Sequence, residues 1–212
     1  MSLEKYSERF ERLYKLFSDT YLVFYVWKGL QDKAFEKTYS KNVAFWNATL
    51  LSLENCWLTQ LARIYENSKY SGRAAVISVY ALLPYQSDKE RAEIVQNILN
   101  ENKEIVNNIQ RLRDNQLAHN NANHLIEPSK ILTRFPVKYV EVENLLKLTG
   151  EILSNLNPKQ GHAYAYEMLA EDSERDGKSV VKKLEYYEKL HKNHLDRFVG
   201  GEIDNPRFPP ED

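Results

Sequence analysis

Arg113, Asp114 and His119 fall in one short stretch, QRLRDNQLAHNNANH (residues 110–124), where an apolar-periodic segment runs out into asparagines. Histidine has an unperturbed pKa of about 6.5, so both an acid and a base form are at hand near neutrality. Arginine stays charged and presents a planar fork of donors that fits phosphate oxygens. These two residue types suit the metal-free cleavage of RNA. In that reaction the 2′-hydroxyl attacks the neighbouring phosphorus, a base removes its proton, and an acid protonates the departing 5′-oxygen. His119 would move the protons, Arg113 would hold the equatorial oxygens as negative charge gathers on them, and Asp114 would orient the guanidinium or the histidine tautomer. The competing reading of the same residues is a histidine at the negative end of a helix dipole beside a solvated arginine and aspartate.

The elements that must position these groups are helical by their periodicity. A run opening at SDKE, with Ser87 or Asp88 as its cap, continues through Ile94, Ile98, Ile105, Ile109, Leu112 and Gln116 to His119. At roughly 1.5 Å per residue it predicts one helix of about 45 Å. Positions 98, 105, 112 and 119 recur every seven residues, which places His119 within about 20° of Leu112 and on the same seam. Arg113 would then lie about 120° away and roughly 9 Å back along the axis. One helix alone holds the two apart, so a second helix or a second protomer would complete the site, and a homodimer is expected.

Elsewhere Val43, Trp46, Leu50, Leu53, Trp57, Leu61 and Ile64 lay one stripe along a long core helix from Ser40 to Glu66. AAVISVYALLPY predicts a short buried helix stopped near Pro84, with a strand as its alternative. Leu3–Phe17 and Tyr21–Lys37 each suit a helix, and Ser18 or Asp19 either caps the second or sits within one longer rod. VEVENLLKLTGEILSNL predicts a helix ending before Pro158, and Ser179–Phe198 another after GHAYAYEMLAEDSERDG. The expectation is an all-α, antiparallel helical bundle forming a single domain over residues 1–200, with additional C-terminal helices and an irregular tail at 201–212.

Composition narrows the function classes. Seven glycines and seven prolines in 212 residues are too few for the turn density of a sandwich or barrel. The lone Cys56 and the charged start MSLEKYSERFERLYKLF predict a cytoplasmic protein without a secretory signal. The apolar run Tyr21–Trp27 is far shorter than the roughly 20 residues that cross a bilayer, so no membrane span is expected. Twenty-nine basic against 30 acidic residues argue against a broad nucleic-acid-coating surface but leave room for a small, focused polyanion site. Glu188, His191 and His194 stand at helical spacing, yet a solvated, lysine-rich helix accounts for them without a metal, and no cofactor is expected. Tyr164, Tyr166, Tyr186 and Tyr187 have the chemistry to stack on bases, with half-buried packing as the plainer reading. Arg63 and Glu66 either line the cleft of Arg113 or pair one turn apart.

The string Arg113-Asp114-Asn115-Gln116-Leu117-Ala118-His119 resembles the signature of the HEPN superfamily, an arginine and a polar residue followed a few positions later by a histidine; five residues intervene here. LTQLARIYENS (58–68) and ISVYALL (77–83) are similar to the abortive-infection branch of that superfamily, and the likeness extends over roughly residues 40–156. The resemblance implies a metal-independent endoribonuclease acting as a toxin or phage-defence effector, with its active site composed across a homodimer and an antitoxin or regulatory protein as a possible partner. It makes Arg113 and His119 catalytic, Asp114 their support, and Arg63 and Asn120 contacts to the RNA substrate. A subgroup of such toxins carries a tyrosine two residues after the histidine; Asn121 stands there, so silencing by nucleotidylation of that tyrosine is not implied.

Overall fold

Tyr6, Phe10, Leu13, Phe17, Tyr21, Phe24 and Trp27 recur at spacings of three and four, and all are buried. In the computed structural model, which describes residues 1–67, 77–114, 136–159 and 166–202, this stripe lies on one continuous helix, α1 (Leu3–Leu30). Ser2 caps it by accepting from the Lys5 N–H at 3.3 Å. Ser18 starts no second helix: its hydroxyl donates back to the Tyr14 carbonyl at 3.0 Å, and Asp19 pairs with Lys15. The rod ends at Leu30 rather than near Lys37. Asp32 accepts from the Ala34 N–H and sets a 3-10 turn, Lys33–Phe35, which redirects the chain into α2 (Glu36–Lys41).

The other described helices are α3 (Val43–Ile64), α4 (Val79–Leu82, continued by a 3-10 turn at Leu83–Tyr85), α5 (Lys89–Glu101), α6 (Lys103–Arg113), α7 (Tyr139–Leu156) and α8 (Tyr166–Val199). Among the described residues no strand occurs, and the architecture is an all-α helical bundle. None of its described helices is long and apolar enough to cross a membrane. α1 is flanked by α3 and α8, α6 lies on α3, and α7 lies on α5. α3 runs opposite to α1, with Trp57 against Phe24 and Trp27 and with Trp46 clustered with Leu30. α8 advances with α1 and α2, since Lys28, Asp32, Thr38 and Lys41 meet Glu174, Lys178, Glu185 and Glu188 in turn. The C-terminal carbonyls of α7, which have no partner within their own helix, are capped from three elements. Tyr6 donates to Leu156 at 2.7 Å, Arg91 to Ser154 and Asn157, and Gln86 to Asn155. Burial of the Tyr6 phenol pushes its pKa up to about 12, against the opposing influence of Arg91.

α8 begins well before Ser179 because Gly177, which the sequence presents as loop punctuation, lies inside it. The glycine is needed by packing. A Cβ there would stand 2.7 Å from the Val26 carbonyl oxygen, and one at Gly29 would stand 2.3 Å from that of Glu174. Two glycines thus let the backbones of α1 and α8 touch. In an isolated helix Gly177→Ala would stabilise by about 1 kcal/mol. Here it is expected to destabilise by about 1–3 kcal/mol, because the added methyl forces two packed helices apart. Denaturant unfolding of the variant checks the sign, and a stabilised protein would mean that the crossing is looser than described.

Candidate active site

The helix that carries Arg113 is not the single rod that its isoleucines suggest. It is interrupted at Asn102, which closes α5 and opens α6. The Asn102 side-chain amide donates to the Ile98 carbonyl at 2.8 Å, and its backbone N–H reaches Ile98 and Asn100. An asparagine on an otherwise apolar stripe competes for the carbonyls that would continue the helix. The register differs as well. Ile94 is exposed and Ile105 half-buried, whereas Val95, Leu99, Val106 and Ile109 are buried. Ile98 and Leu112 of the expected seam are buried too, so the inward face is broader than that seam, and Arg113, one heptad after Val106, falls within it.

Arg113 consequently sits on the inward face of α6, not about a third of a turn away from it. Its side chain is only 19% exposed, and Asp114 holds its Nε at 2.8 Å and its Nη2 at 2.6 Å through a single carboxylate oxygen. Neighbours in a helix do not normally face each other, so this contact requires the long arginine to arch over its own backbone. Asp114 keeps helical angles of −63° and −38°, and its N–H donates to the carbonyls of Gln110 and Arg111. The pair is built to fix a fork: Nε and one terminal nitrogen are committed, and Nη1 lies outside the pair.

One turn earlier the Gln110 side chain donates to the Tyr65 carbonyl at 2.6 Å, tying α6 to the end of α3. That end is rigid. Tyr65 is buried and its hydroxyl meets Thr149 Oγ1 at 2.6 Å. The Thr149 hydroxyl spends its only proton on the Leu145 carbonyl, also at 2.6 Å, so Tyr65 is the donor. Burial raises the Tyr65 pKa above its ordinary range, and the phenol stays protonated to make this bond. Leu58, Leu61, Ala62 and Ile64 of LTQLARIYENS, with Val79 and Leu82 of ISVYALL, share one core with Ile109 and Leu112. Their buried residues form the floor of the site.

Arg63 is exposed on the last turn of α3, and the Glu66 N–H donates to its carbonyl at 3.1 Å. The Gln110–Tyr65 bond brings this helix end beside the helix of Arg113. His119 and Asn120 lie outside the described residues, as does Asn121. Among the described residues no group of three or more His, Cys, Asp or Glu side chains is gathered for a metal, and Glu188 is paired with Lys41. Tyr186 and Tyr187 are 60% and 57% exposed, so the plainer reading of half-buried packing fails for both. Thr149→Val is expected to cost about 1–3 kcal/mol in unfolding free energy by leaving the Tyr65 hydroxyl buried without an acceptor. Tyr65→Phe added to it should restore part of that loss, a coupling that a double-mutant cycle measures.

The model of the family HEPN_AbiU2, described as AbiU2, matches residues 3–180. No curated protein and no solved structure matches the chain. The family match begins with the first residue of α1 and runs into α8, taking in the whole of α3, α6 and α7 from which the surroundings of Arg113 are built. The chain belongs to the AbiU2 family of HEPN proteins, in the abortive-infection branch of that superfamily.

Proposed function

We propose that this protein is a metal-independent endoribonuclease and a cytoplasmic phage-defence effector, with Arg113 and His119 as its catalytic residues. The observation that carries the reading is a half-buried arginine whose fork is held by Asp114 on the inward face of a helix, in the stretch that resembles the HEPN signature, within a chain of the AbiU2 family. Desolvating a guanidinium is costly unless it meets an anion. Asp114 meets only part of the fork. The remaining donors suit the non-bridging oxygens of a phosphate, where a preorganised cation is most effective as negative charge develops. His119 supplies the proton transfers, and in a homodimer two such histidines serve one as base and the other as acid. Arg63 and Asn120 hold the RNA on either side, and an antitoxin or regulatory protein controls the site. The second reading, a helical scaffold without catalysis, is favoured by one feature: Asp114 already neutralises Arg113 and would repel a phosphate.

Cleavage separates the two. The purified protein should cut single-stranded or loop RNA in the presence of EDTA, leaving 2′,3′-cyclic phosphate and 5′-hydroxyl ends, and should spare DNA, which lacks the attacking hydroxyl. His119→Ala and Arg113→Ala should each lower the rate by at least about a hundredfold. Asp114→Ala should cost less, and Arg113→Lys should remain poor because an ammonium cannot reproduce the fork. Full activity in both alanine variants would remove these residues from the reaction. Activity abolished by EDTA and restored by magnesium would place the chemistry elsewhere. Light scattering at micromolar concentration should report a dimer, and a strictly monomeric active enzyme would rule out the composite site.

A further inference from the structure

The last two-thirds of α8 has a charge pattern at odds with the rest of the chain. Between Arg175 and Arg197 there are seven Lys or Arg and four Asp or Glu, a local excess of three positive charges in a protein of net charge −1. Two of these four acids are drawn into contacts with α2. Glu185 bonds Thr38 and Glu188 bonds Lys41, both against α2. Glu174 is taken by Lys28 and Lys178, and Lys178 also reaches Asp32 at 3.7 Å. Among the described residues Lys182, Lys183 and Lys189 have no acidic partner, and all three are exposed.

At 100° per residue, Arg175, Lys178, Lys182, Tyr186 and Lys189 fall within an arc of roughly 80°, with one cation or ring at each turn of about 5.4 Å. Arg175, Lys178, Lys182 and Tyr186 line a shallow depression of about 710 Å³ along the helix, whose start is bounded by Glu171 and Glu174, and Arg175 is paired with Asp172. Tyr186 stands in the middle of the row, 60% exposed, with Tyr187 edge-on to it at 6.2 Å between ring centres. Packing within the protomer does not explain a large aromatic ring left in water between two unpaired lysines. Alternating cations and an exposed ring form the arrangement that tracks a single-stranded backbone while stacking its bases, without reading sequence.

We propose that this face of α8 is a binding track for single-stranded nucleic acid, in which Lys182 and Lys189 meet successive phosphates and Tyr186 stacks on a base. As the holding surface for a substrate RNA it rests on the ribonuclease reading; as a binding surface it is independent of it. The track lies far from Arg113. α8 passes the start of α3, where Phe45 and Trp46 line a depression with Tyr187 and His191, whereas α6 is tied to its end at Tyr65. Nineteen residues separate Trp46 from Tyr65, or about 28 Å along the helix. The track therefore governs affinity for a long strand and leaves the chemical step alone.

The test is fluorescence anisotropy with a labelled single-stranded DNA oligonucleotide, which lacks the attacking hydroxyl and reports binding whether or not the protein is a nuclease. Lys182→Glu/Lys189→Glu should weaken binding by at least about tenfold and flatten the salt dependence of log K by about 1.4, the share of two phosphate contacts on a single strand. Tyr186→Ala should weaken it by about tenfold through lost stacking. Lys5→Glu/Lys89→Glu changes net charge equally at two exposed helix starts, where acids are tolerated, and should leave binding within about twofold. Equal losses in both charge-reversed pairs would reduce the effect to net charge and overturn the track. So would unaltered binding in the α8 variants, or capture of anionic lipid vesicles by α8 in place of the oligonucleotide. If RNA cleavage is confirmed, the α8 pair should raise KM for a long RNA with kcat unchanged; a fall in kcat alone would contradict the assigned role.

Discussion

The burial of α1 between α3 and α8 is the constraint on which the other elements depend. Its stripe supplies most of the large fully buried aromatic side chains, and Trp57 from α3 closes against Phe24 and Trp27 within that layer. Rings of this size gain much from burial but tolerate little displacement. The arrangement carries a cost, since the indole N–H groups of Trp27 and Trp57 and the Gln60 side-chain oxygen are buried without a hydrogen-bond partner among the described residues. At the other face the two glycines remove side chains so that α8 can lie directly on α1. Lys28 secures the junction by bridging Glu143 of α7 and Glu174 of α8 at 3.2 and 3.3 Å. Burial disfavours its charge, yet the two carboxylates outweigh that and hold its pKa above the ordinary value.

Rigidity of this layer passes to Arg113 through backbone and side-chain links that can be followed one at a time. α3 is fixed against α1 by Trp57; its end is fixed by Tyr65 and Thr149; Gln110 fixes α6 to that end; and Arg113 follows one turn later. A guanidinium on a surface helix would lose side-chain entropy on meeting a phosphate. Here the side chain is already confined by burial and by Asp114, so less ordering remains to be done in the transition state. The aspartate that lowers the net attraction for phosphate also aims the fork, and aim matters more where the charge to be stabilised appears only during the reaction.

Much of this was readable from residue spacing, and the failures have specific causes. The all-helical class, the α3 stripe from Trp46 to Ile64, the Asp88 cap and the end of α7 before Pro158 follow from periodicity and capping chemistry. The register of the helix bearing Arg113 does not. Two overlapping apolar sets lie in that segment, one at 94, 98, 105, 109 and 112 and one at 95, 99, 106 and 109, and spacing alone marks neither as the deeper. Only packing against α3 and α7 decides between them. An asparagine at 102 was the available sign of a break. Gly177 reads as punctuation because the sequence does not reveal that another backbone lies against it. Arg113 stood out as a residue type, and its half-buried position was hidden because the inward face is wider than the seam that the spacing marks.

The near-neutral composition of the chain takes on a different meaning once α2 and α8 are placed. An excess of one acid over the bases argues against broad electrostatic capture of nucleic acid, and that argument holds for the surface as a whole. It fails locally because folding spends acids and bases unequally. Glu174, Glu185 and Glu188 are drawn toward α1 and α2, where Lys28, Thr38 and Lys41 receive them. Lys182, Lys183 and Lys189 of the same helix are left facing solvent, with no acidic partner among the described residues. A balanced sequence can thus present an unbalanced face, and the sorting is done by the same inter-helix contacts that hold α8 in place.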